Sequence, residues 1–260
     1  MRLLEEKILP ILREQPGQWG MASKDLTTDA TIVYNEDKLF GAASVIKIPI
    51  IIEAYRQDRA GKISLSDPME LKAAEVVGGC GVLKVMHPGL VLSVRDVAAL
   101  MITVSDNTAT NMLIDLLGID NINAVMQKMG CKFSILRRKL MMEELARRGI
   151  KNELAPYDVM LMMEALYRGT IVDRAACDDI LEIMKKQQLN HKIPSRLPAG
   201  TVIAHKTGED TGITHNAGII YAPDHPFLLV LLSEYIPDEA DGHQVIARIA
   251  KIAYEHFTGN

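Results

Sequence analysis

Three short segments of this 260-residue chain carry side chains that could together perform acyl transfer. In the first, Ser44-Val-Ile-Lys47, a hydroxyl and an amine are three residues apart, so on a helix they share one face within hydrogen-bonding reach. A serine hydroxyl is a good nucleophile only when a base removes its proton, and a lysine whose pKa is lowered by burial can be that base near neutral pH. A helix start also offers N–H donors to a developing oxyanion. The segment therefore predicts a serine nucleophile beside a basic amine.

Ser-x-x-Lys is weak evidence by itself, because about one match is expected by chance in a chain of this length. Two tripeptides follow it in order, Ser105-Asp-Asn107 and Lys206-Thr-Gly208. Each has a chance expectation of only about 0.05. The ordered set resembles the signature of class A β-lactamases and penicillin-binding proteins. The resemblance covers nearly the whole chain and includes Phe40-Gly-Ala-Ala-Ser44 and the stretch from Met101 to Asn111.

The resemblance implies a role in acyl transfer for four of these side chains. Ser44 is the expected nucleophile, and Lys47 is its expected proton acceptor. Ser105 is expected to pass a proton to the leaving nitrogen. Lys206 is expected to hold Ser105 and to attract the carboxylate of the substrate.

The same resemblance implies a set of substrate-binding groups. Asn107 is expected to contact the amide side chain of the substrate, and Thr207 to bind its carboxylate. Gly208 and Glu209 continue this binding segment. The backbone N–H groups of Ser44 and Glu209 are expected to form the oxyanion hole, where fixed donors stabilise developing charge.

Two further residues have both a functional and a structural interpretation. Cys80 lies in the glycine-rich stretch Gly78–Gly81, and it is either part of the pocket wall or a small buried hydrophobic residue. His215 stands beyond Lys-Thr-Gly, where the family often supplies an arginine to the substrate carboxylate. It is either a weak substitute for that arginine or a hydrogen-bonded structural histidine.

A departure from the family pattern concerns the second half of the reaction. Class A enzymes place a glutamate on a loop to activate the water that hydrolyses the acyl-enzyme, and the matching positions here, Leu140 to Met142, hold no glutamate. Glu143, Glu144 and Glu153 are nearby carboxylates that could replace it. Residues 143–148 also have the pattern of a solvated helix face, and we favour that interpretation. Slow deacylation is the expected consequence.

The elements that must position these residues follow from hydrophobic periodicity. Strands are predicted near both ends of the chain, at 19–24, 30–34, 201–205, 217–221 and 227–232. Helices are predicted at 2–15, 42–58, 94–101, 108–117, 122–129, 156–167, 173–186 and 241–256. This separation indicates an α+β fold in which both ends form one mostly antiparallel sheet around an inserted helical block.

The resemblance implies a serine β-lactamase/transpeptidase-like fold, an α/β-α sandwich of two parts. Residues 1–42 and 195–260 are expected to form a discontinuous α/β domain with a sheet flanked by helices. Residues 43–194 are expected to form an all-helical domain. The active site is expected in the cleft between them, because domain interfaces often hold such pockets.

Composition excludes several classes of partner. The 29 Lys and Arg residues against 33 Asp and Glu leave a formal charge of −4, so nucleic acid is not an expected partner. Apolar runs are too short for a membrane span. Three cysteines without C-x-x-C pairing, and histidines without ligand spacing, indicate no metal or other cofactor. We expect a monomer.

The N-terminal segment does not resemble a signal peptide, because Glu5, Glu6 and Lys7 interrupt its apolar residues. The chain is expected to be cytoplasmic if it is complete as given, or secreted or in the cell envelope if a leader was removed.

The sequence thus predicts a serine acyl hydrolase that forms a covalent acyl-enzyme with β-lactams and hydrolyses this acyl-enzyme slowly. One alternative is a cell-wall peptidase or esterase on the same scaffold. Another is a penicillin-binding sensor or trap that stays acylated. The expected partner is in each case a small-molecule β-lactam, ester or peptide.

Overall fold

The computed structural model describes residues 1–259, which form nine strands and nine α-helices joined by loops and short 3-10 turns. The strands are β1 (Gln18–Asp25), β2 (Thr31–Tyr34), β3 (Phe40–Gly41), β4 (Pro68–Glu70), β5 (Val91–Ser93), β6 (Glu153–Leu154), β7 (Ile203–Asp210), β8 (Ile213–Ile220) and β9 (Phe227–Glu234). The helices are α1 (Arg2–Glu14), α2 (Lys47–Arg59), α3 (Val94–Thr103), α4 (Asn107–Leu117), α5 (Ile119–Lys128), α6 (Glu143–Arg147), α7 (Pro156–Arg168), α8 (Arg174–Lys185) and α9 (Glu239–Thr258). None of these helices is long and apolar enough to cross a membrane.

The main sheet joins the two ends of the chain, in the order β2-β1-β9-β8-β7. Every neighbouring pair is antiparallel, with Met21 opposite Leu231 and Lys206 opposite Ala217. The α+β prediction is therefore confirmed. Because β7 is at the sheet edge, the side of this strand away from β8 is free to face the helical part of the molecule.

Both faces of the sheet are buried, which explains the nearly unbroken apolar run of β9. Leu229 and Leu231 belong to the hydrophobic cluster that includes residues of α1 and α9. Leu228 and Val230 alternate with them and belong to the larger cluster that contains the buried residues of α2, α3 and α4. A strand covered on both faces needs apolar residues at every position rather than at every second one.

Two of the differences from the predicted boundaries concern the residues that carry chemistry. The long predicted helix at 42–58 begins as a 3-10 turn, Ala43–Ile46, before α2 starts at Lys47. Strand β7 runs through Lys206-Thr-Gly to Asp210, although its prediction ended at residue 205. This part of β7 was not predicted because its residues are polar and have no apolar pattern. They are in the strand because backbone hydrogen bonds pair them with β8, whatever their hydropathy. The domain limits at 42/43 and 194/195 stay a prediction.

Candidate active site

Ser44 lies in the 3-10 turn that leads into α2, at the edge of a cleft between this turn, α4, the segment 138–152 and the end of β7. The preceding residue, Ala43, has a φ of 41°, which is in the left-handed region that alanine rarely adopts. Such conformations persist where the surroundings impose them, and they are frequent at functional sites. The turn therefore presents Ser44 to the cleft at a backbone angle that a regular helix would not give.

Lys47 is fully buried, and its ammonium group binds the Ser-Asp-Asn segment. Nζ donates to Ser105 O at 2.7 Å, to Ser105 Oγ at 3.0 Å and to Asn107 Oδ1 at 3.0 Å. The sequence predicted that Lys47 would reach Ser44, but within residues 1–259 its hydrogen bonds go to Ser105 and Asn107 instead. Burial lowers the pKa of Lys47 to about 7, since desolvation outweighs the opposing effects of Cys80 and Asp106. A substantial fraction of this amine is neutral at physiological pH.

Lys206 approaches the same hydroxyl from the sheet. Its Nζ donates to Ser105 Oγ at 3.1 Å and to Thr207 O at 2.8 Å. Complete burial holds the pKa of Lys206 well below its ordinary value, and the charges of Lys47 and Lys192 lower it further. Ser105 Oγ therefore lies between two buried amines, where a proton can move to or from it.

Asp106 fixes the Ser-Asp-Asn segment to its neighbours. It caps α4 by accepting from Ala109 N at 2.9 Å, and it accepts from Val82 N at 2.6 Å and Leu83 N at 2.8 Å. Ser105, just before it, has a φ of 56°, again in the left-handed region. No role for Asp106 was predicted, and its hydrogen bonds connect the start of α4 to the residues that follow the glycine-rich segment Gly78–Gly81.

Two glycines let that segment pack against Asn107. A Cβ on Gly79 would lie 2.4 Å from Asn107 Nδ2, and one on Gly81 would lie 2.3 Å from Asp106 Cγ. Between them, Cys80 accepts from Asn107 N at 3.0 Å through its carbonyl oxygen. The side chain of Cys80 is exposed, so the interpretation as a buried hydrophobic residue is wrong. It is also outside the set of residues that line the cleft around Ser44.

Strand β7 passes close to the Ser44 turn at Gly208. A Cβ at this position would lie 3.2 Å from Ser44 N and 3.2 Å from Ala43 Cβ, so a glycine permits the approach. Thr207 is buried beside it, and Glu209 reaches the cleft. Of these three residues, Glu209 lines the cleft, Gly208 contacts the Ser44 turn, and Thr207 is buried beside it; their roles in binding stay a prediction.

His215 is a structural residue in this fold, and the expectation that it would bind a substrate carboxylate is wrong. It is fully buried on β8. Its Nδ1 accepts from Ser233 N at 3.1 Å, so Nε2 carries the hydrogen and donates to Gly41 O at 2.7 Å. Burial lowers the pKa of His215 to about 4, so the ring is neutral and has no free nitrogen.

Lys192 is a fully buried lysine behind β7 and was not among the predicted site residues. Its Nζ donates to Gly208 O at 3.0 Å and His215 O at 3.1 Å, and it lies 3.0 Å from Glu209 Oε1. Burial lowers the pKa of Lys192 to about 8, against the raising effect of Glu209. Although burial acts to raise the pKa of Glu209, Lys192 and then His191 hold it at about 2. No motif surrounds Lys192, so its position in the sequence carried no signal.

Two asparagines hold residues 137–140, at the start of the segment expected to carry a deacylating glutamate, in place by hydrogen bonds to its backbone. Asn111 accepts from Leu140 N at 2.8 Å and donates to Leu140 O at 3.1 Å. Asn152 binds the backbone of Arg137 and Arg138 in the same way. Leu140 and Met141 consequently line the cleft with Ser44.

The three candidate replacement carboxylates lie elsewhere. Glu143 and Glu144 are exposed on α6, as predicted for a solvated helix face, and Glu153 pairs with Arg137. None of the three is among the residues in the described part of the chain that line the cleft. The acidic residues that do line it, Glu209, Asp210 and Glu234, are on the sheet.

Comparisons with known proteins agree with this arrangement. A family model described as the β-lactamase enzyme family matches residues 3–257. The β-lactamase OXY-2 of Klebsiella oxytoca is 24% identical over 262 residues, which cover 97% of this chain and 89% of that relative. The solved β-lactamase of Sphaerobacter thermophilus DSM 20745 has a TM-score of 0.92 at 33% identity, covering 100% of this chain and 98% of that one.

A second solved structure is a leucine-to-glutamate mutant of PBP-A, an acyl-enzyme complex with penicillin G. It has a TM-score of 0.91 at 26% identity and covers 100% of this chain and 98% of that one. These matches confirm the serine β-lactamase/transpeptidase-like fold. The chain therefore belongs to the β-lactamase enzyme family, and it is a β-lactamase-like serine hydrolase.

Proposed function

We propose that Ser44 forms a covalent acyl-enzyme with β-lactams and related amides or esters, and that hydrolysis of this ester is slow. The observation that carries the proposal is the pair of buried amines on Ser105 Oγ, Lys47 at 3.0 Å and Lys206 at 3.1 Å, next to the Ser44 turn. Their lowered pKa values make proton transfer feasible at neutral pH.

In the acylation step, Ser44 Oγ attacks the substrate carbonyl carbon and its proton passes to neutral Lys47. The carbonyl oxygen becomes an oxyanion held by the backbone N–H groups of Ser44 and Glu209. When the carbon–nitrogen bond breaks, the nitrogen takes the Ser105 hydroxyl proton, which Lys47 or Lys206 replaces. Fixed donors of this kind typically contribute about 3 to 4 kcal/mol to lowering the barrier.

On the β7 side, substrate binding uses Thr207 and the buried lysines behind the strand, although the acidic side chains of Glu209, Asp210 and Glu234 line the sheet side of the cleft. Thr207 holds the substrate carboxylate, and Lys206 and Lys192 attract it from behind the strand. Asn107 receives the amide side chain of the substrate. The role of the two lysines is supported by their burial behind β7, and the role of Asn107 by its position in the lining of the cleft.

Deacylation is the slow step, because Leu140 and Met141 line the cleft where the carboxylate that activates water is expected, and neither carries one. Leu140 N donates to Asn111 Oδ1 and Asn111 Nδ2 donates to Leu140 O, so this segment is held against the cleft. An ester that lacks a positioned base reacts slowly with water. A second candidate function, a penicillin sensor or trap, is favoured by the same observation.

Intact-mass spectrometry after mixing with benzylpenicillin tests the proposal. The wild-type protein is expected to gain one penicillin per chain and to lose it slowly, whereas Ser44→Ala gains none. Ser66→Ala is the matched control, because Ser66 is exposed and far from the motif in sequence, and it should label like wild type. Labelling of Ser44→Ala would refute the assignment of the nucleophile.

Kinetics with a chromogenic cephalosporin distinguish slow hydrolase from trap. A burst of one product per site followed by a slow steady rate indicates a hydrolase limited by deacylation. A burst with no steady rate indicates a trap. Fast turnover without a burst would contradict both, and Gln variants of Glu143, Glu144 and Glu153 would then locate the base.

A further inference from the structure

Two histidines and a glutamate from distant parts of the chain meet beside the outer end of β7. His191 precedes the 3-10 turn Ile193–Arg196, Glu209 is near the end of β7, and His243 is in the first turns of α9. One ligand atom from each side chain lies within 4.8 Å of the other two. The side chains of this cluster, His191–Glu209–His243, take no part in the proposed acyl transfer, which uses only the backbone N–H of Glu209.

The donor atoms converge on a single carboxylate oxygen. Glu209 Oε1 lies 2.6 Å from His191 Nε2 and 3.1 Å from His243 Nε2. The two imidazole rings meet edge to face, with centroids 4.5 Å apart. His243 Nε2 is buried and lies 3.1 Å from Glu209 Oε1, but among residues 1–259 it makes no hydrogen bond of good geometry. A buried polar atom without a well-formed hydrogen bond calls for an explanation, and a bound ion is one of the common ones.

These atoms match the preferences of a divalent transition metal. Zn²⁺ binds imidazole nitrogen at about 2.0 to 2.1 Å and carboxylate oxygen at about 2.0 to 2.2 Å, so tetrahedral ligand atoms are about 3.3 Å apart. The 3.1 Å separation between Glu209 and His243 is already close to this value. His191 Nε2 lies 2.6 Å from Glu209 Oε1, so these two atoms must separate by about 0.7 Å to match it. His191 and Glu209 are each about two-fifths exposed, so both can adjust.

One buried cation competes with a metal for the same carboxylate. Lys192 Nζ lies 3.0 Å from Glu209 Oε1, and it also donates to Gly208 O and His215 O. The two carbonyl bonds remain when a metal takes Oε1, and the carboxylate keeps its second oxygen for Lys192. The competition lowers the affinity of the site without removing a ligand.

We propose that His191 Nε2, His243 Nε2 and Glu209 Oε1 form a binding site for one divalent transition metal ion of the Zn²⁺ class, with a fourth position open to water. Imidazole and carboxylate ligands suit Zn²⁺ among the abundant cations, and three protein ligands leave such a position. No metal site was predicted from the sequence, because the segments between His191, Glu209 and His243 match no ligand-spacing motif. The site does not depend on acyl transfer at Ser44.

Metal titration of the full-length chain tests this site. Isothermal titration with Zn²⁺ is expected to show one ion per chain, and Co²⁺ is expected to produce visible d–d absorption typical of a four-coordinate site. His191→Ala and His243→Ala should each weaken binding by at least about tenfold, since even outer partners of a metal contribute that much. His225→Ala is the matched control, because His225 lies in an exposed turn outside the cluster, and it should bind like wild type.

Two results would overturn the proposal. One is saturable Zn²⁺ binding that the double variant His191→Ala/His243→Ala retains at wild-type affinity, which would place the ion elsewhere. The other is no saturable binding up to about 1 mM, the weakest affinity that structural or regulatory sites commonly show. Ser44→Ala should bind Zn²⁺ like wild type, so failure of the proposed acyl transfer and failure of this site are distinguishable.

Discussion

Asp106 is expected to be a positioning residue whose loss affects both stability and acylation. Its carboxylate is 1% exposed and accepts from three backbone N–H groups, those of Val82, Leu83 and Ala109, at 2.6 to 2.9 Å. The substitution Asp106→Ala leaves all three donors without a partner. It also frees the Gly78–Gly81 segment from α4.

The magnitude follows from the three lost bonds. Each buried N–H left unpaired costs about 1 to 3 kcal/mol, and water in the vacated space would satisfy some of them. We therefore expect the free energy of unfolding to fall by about 3 to 5 kcal/mol. A protein in the middle or upper part of the ordinary range, about 8 to 15 kcal/mol, stays folded after this loss. Acylation should slow by about 10²-fold, because Asn107 and Ser105 shift by up to about 1 Å.

Asp158→Ala is a matched control for the loss of stability. Asp158 is also 1% exposed and also accepts from three backbone N–H groups, those of Lys132, Phe133 and Ser134. Urea unfolding should therefore show a similar loss for both variants. Stopped-flow acylation by a chromogenic cephalosporin should be slow for Asp106→Ala and close to wild type for Asp158→Ala.

Two results would refute this reasoning. If both variants lost the same stability and acylated equally fast, the anchoring of the glycine-rich segment would have no bearing on the site. If Asp106→Ala unfolded like wild type, the three hydrogen bonds would contribute no net stability.

Three further predictions concern the chemistry itself. The pKa of Lys47 is lowered from 10.5 to about 7, so its amine becomes neutral as pH rises through this value. The acylation rate measured by stopped flow should therefore increase through about pH 7 and level off above it. Acylation of Lys47→Met should be slower by about 10² to 10⁴-fold and should show no such rise. Gly208→Ala adds a methyl group 3.2 Å from Ser44 N, and a slower acylation with little change in urea unfolding is expected, whereas an unchanged rate would show that β7 can retreat. Leu140→Glu supplies a carboxylate at the cleft, and intact-mass time courses should show the acyl-enzyme lifetime shortened by about 10²-fold, an unchanged lifetime counting against this position.

The fold class and most of the secondary structure follow from the sequence alone. The apolar periodicity of α1 predicted residues 2–15, against Arg2–Glu14 in the structure, and the apolar run of β9 predicted a strand at 227–232, against Phe227–Glu234. Both signals are local, because a helix or strand repeats its burial pattern every few residues. The end of β7 was missed for the same reason, since ladder pairing with β8 rather than hydropathy holds Lys206 to Asp210.

The sequence also predicted the residues of the candidate site, because the ordered set of Ser-x-x-Lys, Ser-Asp-Asn and Lys-Thr-Gly carries a family resemblance that implies them. The hydrogen-bond partners of these side chains depend instead on the tertiary structure. Lys206 and Ser105 are 101 positions apart, and their contact depends on packing of the sheet edge against the helical part. The same packing turned Lys47 toward Ser105 rather than Ser44.

Two features had no signal in the sequence. Lys192 is buried behind β7, and the His191–Glu209–His243 cluster joins a loop, a strand and a helix. For His215 the sequence left two interpretations open, and the structure shows both ring nitrogens in hydrogen bonds inside the sheet. Local patterns report how one element faces the core. They do not report which side chains of separate elements meet, because that depends on the register and approach of those elements, and only the folded chain sets these.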